Sequence, residues 1–264
     1  MNLFLKRSMM AAALICAIWT PPNASAQPSW LQAEAIQAVL QGAAPIQPGV
    51  RLDIPAVTQD GSSVQVSIDV DSPMTPDDFI DRIHLFALDN PSPELIELSL
   101  TPLAGKASFT TRIRLDQSQT VVALARRSSG EWLAAARDVR VTVSGCLSRE
   151  GTYRSEQLMQ ARVRVPGQGR QGAPMEVRTL IQHPMETGLR EGPDGAIVPE
   201  RIIERFEAAI DGEKVLTAHL HRAMAANPYL LFMIAPERSG ELAMTWTEDT
   251  GVAATERASF EILR

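Results

Sequence analysis

The chain is 264 residues long, 45% apolar, and carries 25 basic against 31 acidic side chains for a net charge of −6. The acidic balance argues against nucleic acid or an anionic membrane surface as partner, because both repel it. The length suits one large or two ordinary domains, with enough apolar material for a core that needs no disulfide staples.

Residues 1–26 read as a secretory signal. Lys6 and Arg7 form a positive start, Met9 to Trp19 is a continuous apolar run, and Ala24-Ser25-Ala26 offers a small-residue cleavage site before Gln27. The run is too short to span a bilayer. Cleavage leaves 23 basic and 31 acidic residues, a charge of −8, on an exported chain. It also removes Cys16, so Cys146 becomes the one thiol and can form no internal disulfide.

Trp30 to Leu40 reads as a short amphipathic helix closed by Gly42 and Pro45. Period-two alternation follows. Val64, Val66, Ile68 and Val70 share one strand face, and Gln65, Ser67 and Asp69 the other. The pattern repeats at Ile83-Leu85-Ala87, Ile96-Leu98-Leu100, Phe109 to Leu115 and Val139-Val141-Val143, with Asn90-Pro91-Ser92-Pro93 and Ser129-Gly130 as turns. A polar stretch over 147–157 interrupts it. Strands resume at Leu158 to Val165 and Val177 to Ile181. Ile202 to Ile210 reads as strand or helix, and an Asp211-Gly212 hairpin signal precedes Val215 to His221. Tyr229 to Ile234, Leu242 to Trp246 and Ala258 to Leu263 complete the set. The expected fold is all-β: two immunoglobulin-like antiparallel β-sandwich domains packed together, with a short N-terminal helix.

Particular words in the sequence then point to a family. Ser72-Pro73-Met74-Thr75, Asp89-Asn90-Pro91-Ser92-Pro93 and Thr111-Arg112-Ile113-Arg114-Leu115 resemble SoxY. Leu180-Ile181-Gln182-His183-Pro184-Met185-Glu186-Thr187-Gly188, Ala226-Asn227-Pro228-Tyr229-Leu230 and Met244-Thr245-Trp246-Thr247-Glu248-Asp249 resemble SoxZ. The order resembles the fused SoxYZ-like carriers associated with quinoprotein dehydrogenases. On that resemblance the domains are a signal peptide at 1–26, a SoxY-like carrier domain at 27–146, a linker at 147–157 and a SoxZ-like domain at 158–264.

The resemblance implies two immunoglobulin-like sandwiches that pair within one chain in the periplasm. It implies covalent attachment of sulfur-oxidation intermediates to a cysteine at the end of the SoxY part, here Cys146, as in thiosulfate oxidation. The implied partners are periplasmic sulfur-oxidation enzymes or a quinoprotein dehydrogenase and c-type cytochrome system. A binding or assembly module for such a dehydrogenase, with Cys146 incidental, is the alternative. The chain departs from SoxY's Gly-Gly-Cys-Gly-Gly ending, having Ser144-Gly145-Cys146-Leu147-Ser148, and its arm continues into a second domain. The cysteine is therefore expected on a short-reach loop, no more than ~10 Å beyond Val143.

The chemistry of a carrier is consistent with the remaining residues. A thiolate is a soft nucleophile that forms stable but exchangeable sulfur adducts. Arg149 and Arg154 lie close enough in sequence to favour it, with Glu150 opposing. His183-Pro184-Met185 supplies too few soft ligands for copper and is expected to be structural. His219 and His221 share a strand face, as two metal ligands would. Leu216, Ala218 and Leu220 occupy the opposite face, so the histidines are expected to point to solvent. Trp30, Trp132 and Trp246 are assigned to the core or the domain interface. The sequence holds no catalytic triad, phosphate loop or CxxC pair, so the chain reads as a carrier with no catalysis, cofactor or metal of its own.

Overall fold

Alternating Val and Ile residues make a half-buried strand of Val64–Val70, whose three valines and one isoleucine face the core while the intervening side chains are partly or fully exposed. The computed structural model of the protein describes residues 28–143 and 157–263. The signal segment, Cys146, Arg149 and Arg154 lie outside them. The expected helix is present in two pieces, a 3₁₀ turn at Ser29–Gln32 and α1 at Glu34–Leu40, separated by an extended Ala33. The break lets Trp30 join Ile36 and Leu40 on one apolar patch.

The first half then runs β1 (Arg51–Asp53), β2 (Val57–Thr58), β3 (Val64–Val70), β4 (Ile80–Ala87), β5 (Glu94–Leu100), β6 (Ala107–Ile113), β7 (Gln119–Arg127) and β8 (Trp132–Val141). The second half runs β9 (Ala161–Arg164), β10 (Gln168–Arg170), β11 (Met175–Ile181), β12 (Ile203–Ile210), β13 (Glu213–Leu220), β14 (Tyr229–Ile234), β15 (Gly240–Glu248) and β16 (Ala253–Leu263). The stretch 202–210 is thus a strand, paired on both sides. Asp211 and Gly212 adopt the positive φ that a tight hairpin needs.

Among the described residues the strands form two sheets. One has the order β1-β3-β6-β14-β11-β9, and the other β10-β16-β15-β12-β13-β5-β4-β7-β8-β2. The expected all-β fold is present, and both sheets cross from one half to the other, so the two packed sandwiches share their sheets. Their single core includes Ile83, Leu98 and Phe109 from the first half and Phe206, Phe232 and Trp246 from the second. Pairing is antiparallel except at two short edges, where β2 runs parallel to β8 and β10 to β16.

The halves share one strand plan. β1-β3-β6 corresponds to β9-β11-β14, and β2-β8-β7-β4-β5 to β10-β16-β15-β12-β13. Equivalent strands meet antiparallel at the seam, β5 with β13 and β6 with β14. Such self-pairing is the geometry of an isologous dimer, built here inside one chain. The seam is extensive. β5 and β13 pair from Leu216↔Leu100 to Leu220↔Ile96. Arg114 of the first half is buried and donates to the carbonyls of Met185 (2.5 Å) and Pro184 (3.1 Å) of the second. The Arg112 guanidinium lies 5.3 Å over the Tyr229 ring.

β8 and β9 lie at opposite ends of this double sandwich, since β9 packs against β16. Seven strand spacings of about 4.8 Å separate β8 from β16, or about 34 Å. The connection from 143 to 157 reaches at most ~50 Å and must cover that separation. A fused connection supplies an effective concentration on the order of millimolar, yet the seam itself is a shared core plus two backbone ladders. We therefore expect that a protease site placed at Gly151 and cut to completion leaves both halves together. Co-elution as one species in gel filtration at micromolar concentration is the expected result, and separate peaks would contradict it.

Candidate functional site

The arm that leads to Cys146 leaves the sandwich at the end of β8, and that exit is pinned from two sides. On one side the Arg140 and Thr142 amides donate to Ala56 O (2.9 Å) and Thr58 O (3.1 Å), and the Gly61 amide donates to Val143 O (2.9 Å). On the other, Ser118 Oγ accepts from the Val141 amide at 2.9 Å. Backbone pairing thus continues to Val143, and Cys146 follows three residues later. Val57 and Val143, 60% and 59% exposed, place two apolar side chains at this exit.

A buried ionic network in the second half anchors the long excursion between β11 and β12. His183 and Glu248 are fully buried, and His183 Nε2 lies 2.9 Å from Glu248 Oε1. The Met185 amide donates to His183 Nδ1 at 3.1 Å. Nδ1 is therefore the acceptor, and Nε2 carries the proton that it donates to Glu248. Glu248 Oε1 also accepts from Arg201 Nε at 2.8 Å, and its second oxygen accepts from the Thr250 hydroxyl. Burial lowers the His183 pKa, which Glu248 only partly offsets, so the ring is held neutral. For Glu248, burial opposes ionisation, but hydrogen bonds from Thr250, His183 and Arg201 outweigh it and hold the carboxyl below the usual range.

With both ring nitrogens of His183 engaged, the His183-Pro184-Met185 triplet is structural. Met185 is fully buried, its sulfur accepting from the Ile203 amide at 3.2 Å. Trp246 sits in the central core, while Trp30 and Trp132 form a second apolar cluster with Phe86 and Leu124 on the outer face of the larger sheet. His219 points to solvent. His221 lies just past β13, half-exposed, with Nε2 3.9 Å from Glu94 Oε2 of the other half. Leu216, Ala218 and Leu220 face the core as the alternation requires. Arg114 and His84 are buried polar residues that sequence reasoning missed as site-forming, because their partners lie across the seam or on a neighbouring strand.

Comparison with known families matches each half separately. The model of sulfur oxidation protein SoxY matches residues 36–146. The model of sulphur oxidation protein SoxZ matches residues 163–259. No curated protein sequence matches significantly. Among solved structures, the sulfur carrier protein SoxY from Chlorobium limicola f thiosulfatophilum is similar at 24% identity, covering 44% of this chain and 100% of that one with a TM-score of 0.36. Superoxide reductase (neelaredoxin) from Ignicoccus hospitalis is similar at 17% identity over 35% of this chain and 79% of that one, TM-score 0.33.

Proposed function

This chain belongs to the SoxY and SoxZ sulfur-oxidation families, one in each half, and on that premise we propose that it is a periplasmic carrier holding a sulfur-containing intermediate covalently on Cys146. The observation that carries the reading is where the SoxY match ends: residue 146, the cysteine itself. Among the described residues, the pairing nearest to it in the sequence is at Val143, three residues earlier. The SoxZ half contributes the seam and the buried His183–Glu248–Arg201 network, both of them scaffold.

The chemistry follows from sulfur. The thiolate of Cys146 bonds to a sulfur atom of the cargo, giving a persulfide-type or thiosulfonate-type adduct. Two electrons leave in that oxidation and pass to a partner redox enzyme, with a c-type cytochrome system as the electron acceptor. Hydrolysis by a partner enzyme releases the oxidised cargo: the water's hydroxyl goes to the departing sulfur, the bond to Cys146 breaks, and the water's proton restores the thiol. Partner enzymes act on the bound cargo, and this chain supplies position instead of catalysis.

Geometry sets the kind of partner. Cys146 stays within ~10 Å of Val143, at the end of the sandwich far from β9. The chain continues past it, so two backbone segments enter any pocket together. An open cleft docked over the Val57–Val143 end accepts this arrangement, and a one-chain tunnel does not. The test is the intact mass of protein purified from its native periplasm under non-reducing conditions. The expected result is the mature chain plus one or more sulfur atoms, located on Cys146 by peptide mapping and lost on treatment with dithiothreitol. A single unmodified mass, with Cys146 unreactive to iodoacetamide, would favour the assembly-module reading and end this one.

A further inference from the structure

Three of the chain's four histidines meet on the outer face of the larger sheet, at the seam. His84 on β4 lies directly opposite Glu97 on β5, and Glu97 lies opposite His219 on β13. The His84 Nδ1 is 2.9 Å from Glu94 Oε1, and the other Glu94 oxygen is 3.9 Å from His221 Nε2. A ring nitrogen of His84 and one carboxylate oxygen each from Glu94 and Glu97 lie within 4.8 Å of one another. One imidazole and two carboxylates of the first half thus form a cluster, and a second imidazole, from the other half, adjoins it through Glu94.

We propose that His84, Glu94 and Glu97, completed by His221 of the second half, bind a divalent transition-metal ion that clamps the seam. The donor set selects the metal class. Imidazole nitrogen with carboxylate oxygen suits Zn²⁺, Cu²⁺ or Ni²⁺, whereas Ca²⁺ and Mg²⁺ prefer oxygen alone. Metal–ligand bonds of about 2.0–2.2 Å require donor atoms a little over 3 Å apart. For His84, Glu94 and Glu97 the present spacing reaches that with shifts on the order of 1 Å. The half-exposed His221, beyond the end of its strand, is free to make the largest move.

The surroundings suit such a site. His84 is buried, with its ring stacked on Phe86 (6.1 Å between centroids) and tilted against Trp132 (5.9 Å), so one wall is fixed and apolar. The two glutamates remain partly exposed, leaving a way in for the ion. Arg82 pairs with Glu97 in the ion's absence and neutralises one carboxylate that would otherwise face Glu94. Binding displaces that cation, which is 42% exposed and moves into solvent.

The proposal does not depend on the cargo of Cys146, and its test removes that thiol. Untagged, chelator-treated Cys146→Ser protein is titrated with ZnCl₂ by calorimetry. One ion per chain is expected, with a melting midpoint raised by about 5–10 °C at a hundredfold excess over Kd. Glu97→Gln and His221→Ala, both changes at partly exposed positions, are each expected to weaken binding tenfold or more. With Cu²⁺ in place of Zn²⁺, electron paramagnetic resonance is expected to show two coupled nitrogens in the parent and one in His221→Ala. No stoichiometric binding at 100-fold excess metal, or affinity unchanged by His221→Ala, would overturn the proposal. Binding seen only when Cys146 is present would overturn it equally.

Discussion

Replacing Cys146 with serine is expected to abolish cargo loading completely while leaving the fold untouched. In the proposed carrier the loss is all-or-none, because the bond to the cargo would be between two sulfur atoms. A serine hydroxyl is not ionised near neutral pH and forms no exchangeable bond with sulfur, whereas an ordinary thiol of pKa about 8.5 is a few per cent thiolate at pH 7. No second cysteine can substitute, since the other one lies at position 16. Stability is expected to hold because the last backbone bond of the β8 exit is made at Val143. The measurement pairs intact mass with turnover by the partner enzymes. Turnover should fall at least a hundredfold with the melting midpoint within about 1 °C of the parent. Undiminished turnover by Cys146→Ser would remove the covalent step from the function.

The same residue marks the limit of what sequence conveys about this protein. That Cys146 is one of only two cysteines, and that it follows a strand, is legible from residue order. Its place in space is not. The distance between β8 and β9, at opposite ends of the double sandwich, depends on which strands pair across the seam. Nothing in the alternation of Ile96-Leu98-Leu100 or Leu216-Ala218-Leu220 names its partner, because each pattern records only that one face is buried.

Strands with one wet face were readable for that reason, and strands with two dry faces were not. β3 alternates cleanly and is plain in the sequence. β7 is buried at five consecutive positions from Val121 to Ala125, because its inner face meets the core and its outer face lies under Trp30, Ile36 and Leu40. A run of Val, Ala and Leu without period carries no strand signal of its own. The edge strands β2 and β10 are too short to show any period. The histidine–glutamate cluster was hidden more deeply. His219 and His221 were visible as a pair, but His84 and Glu94 join them only because two halves of one chain meet like the subunits of a dimer.

The scaffold also depends on Glu248, and Glu248→Ala is expected to cost about 3 kcal/mol. Glu248 is 1% exposed and accepts from His183, Arg201 and Thr250, residues of three different segments. Removing one partner of a buried ionic pair typically costs ~3–5 kcal/mol, because the remaining group loses its compensation. Here the lower end applies, since the Arg201 side chain is 39% exposed and can rehydrate, while His183 cannot. For a chain of this size the melting midpoint should fall by roughly 6–12 °C. Glu248→Gln keeps one acceptor and should fall between. The dependence on pH separates the two titrating groups. His183 has its pKa lowered by folding, so as the pH falls below about 6.5 the unfolded chain takes up a proton first and stability declines. Glu248 also has its pKa lowered, so its contribution is complete above about 4.5 and is lost as the pH falls further towards the folded value. The parent should therefore lose midpoint in two stages on acidification. Glu248→Ala should shrink the lower stage, to which Glu94 also contributes, and keep the upper one, more steeply, because the carboxylate that favoured protonated His183 is gone. A midpoint within 2 °C of the parent at pH 7, or an unchanged profile below pH 4.5, would show that the network is not what holds the 182–202 excursion to the sandwich.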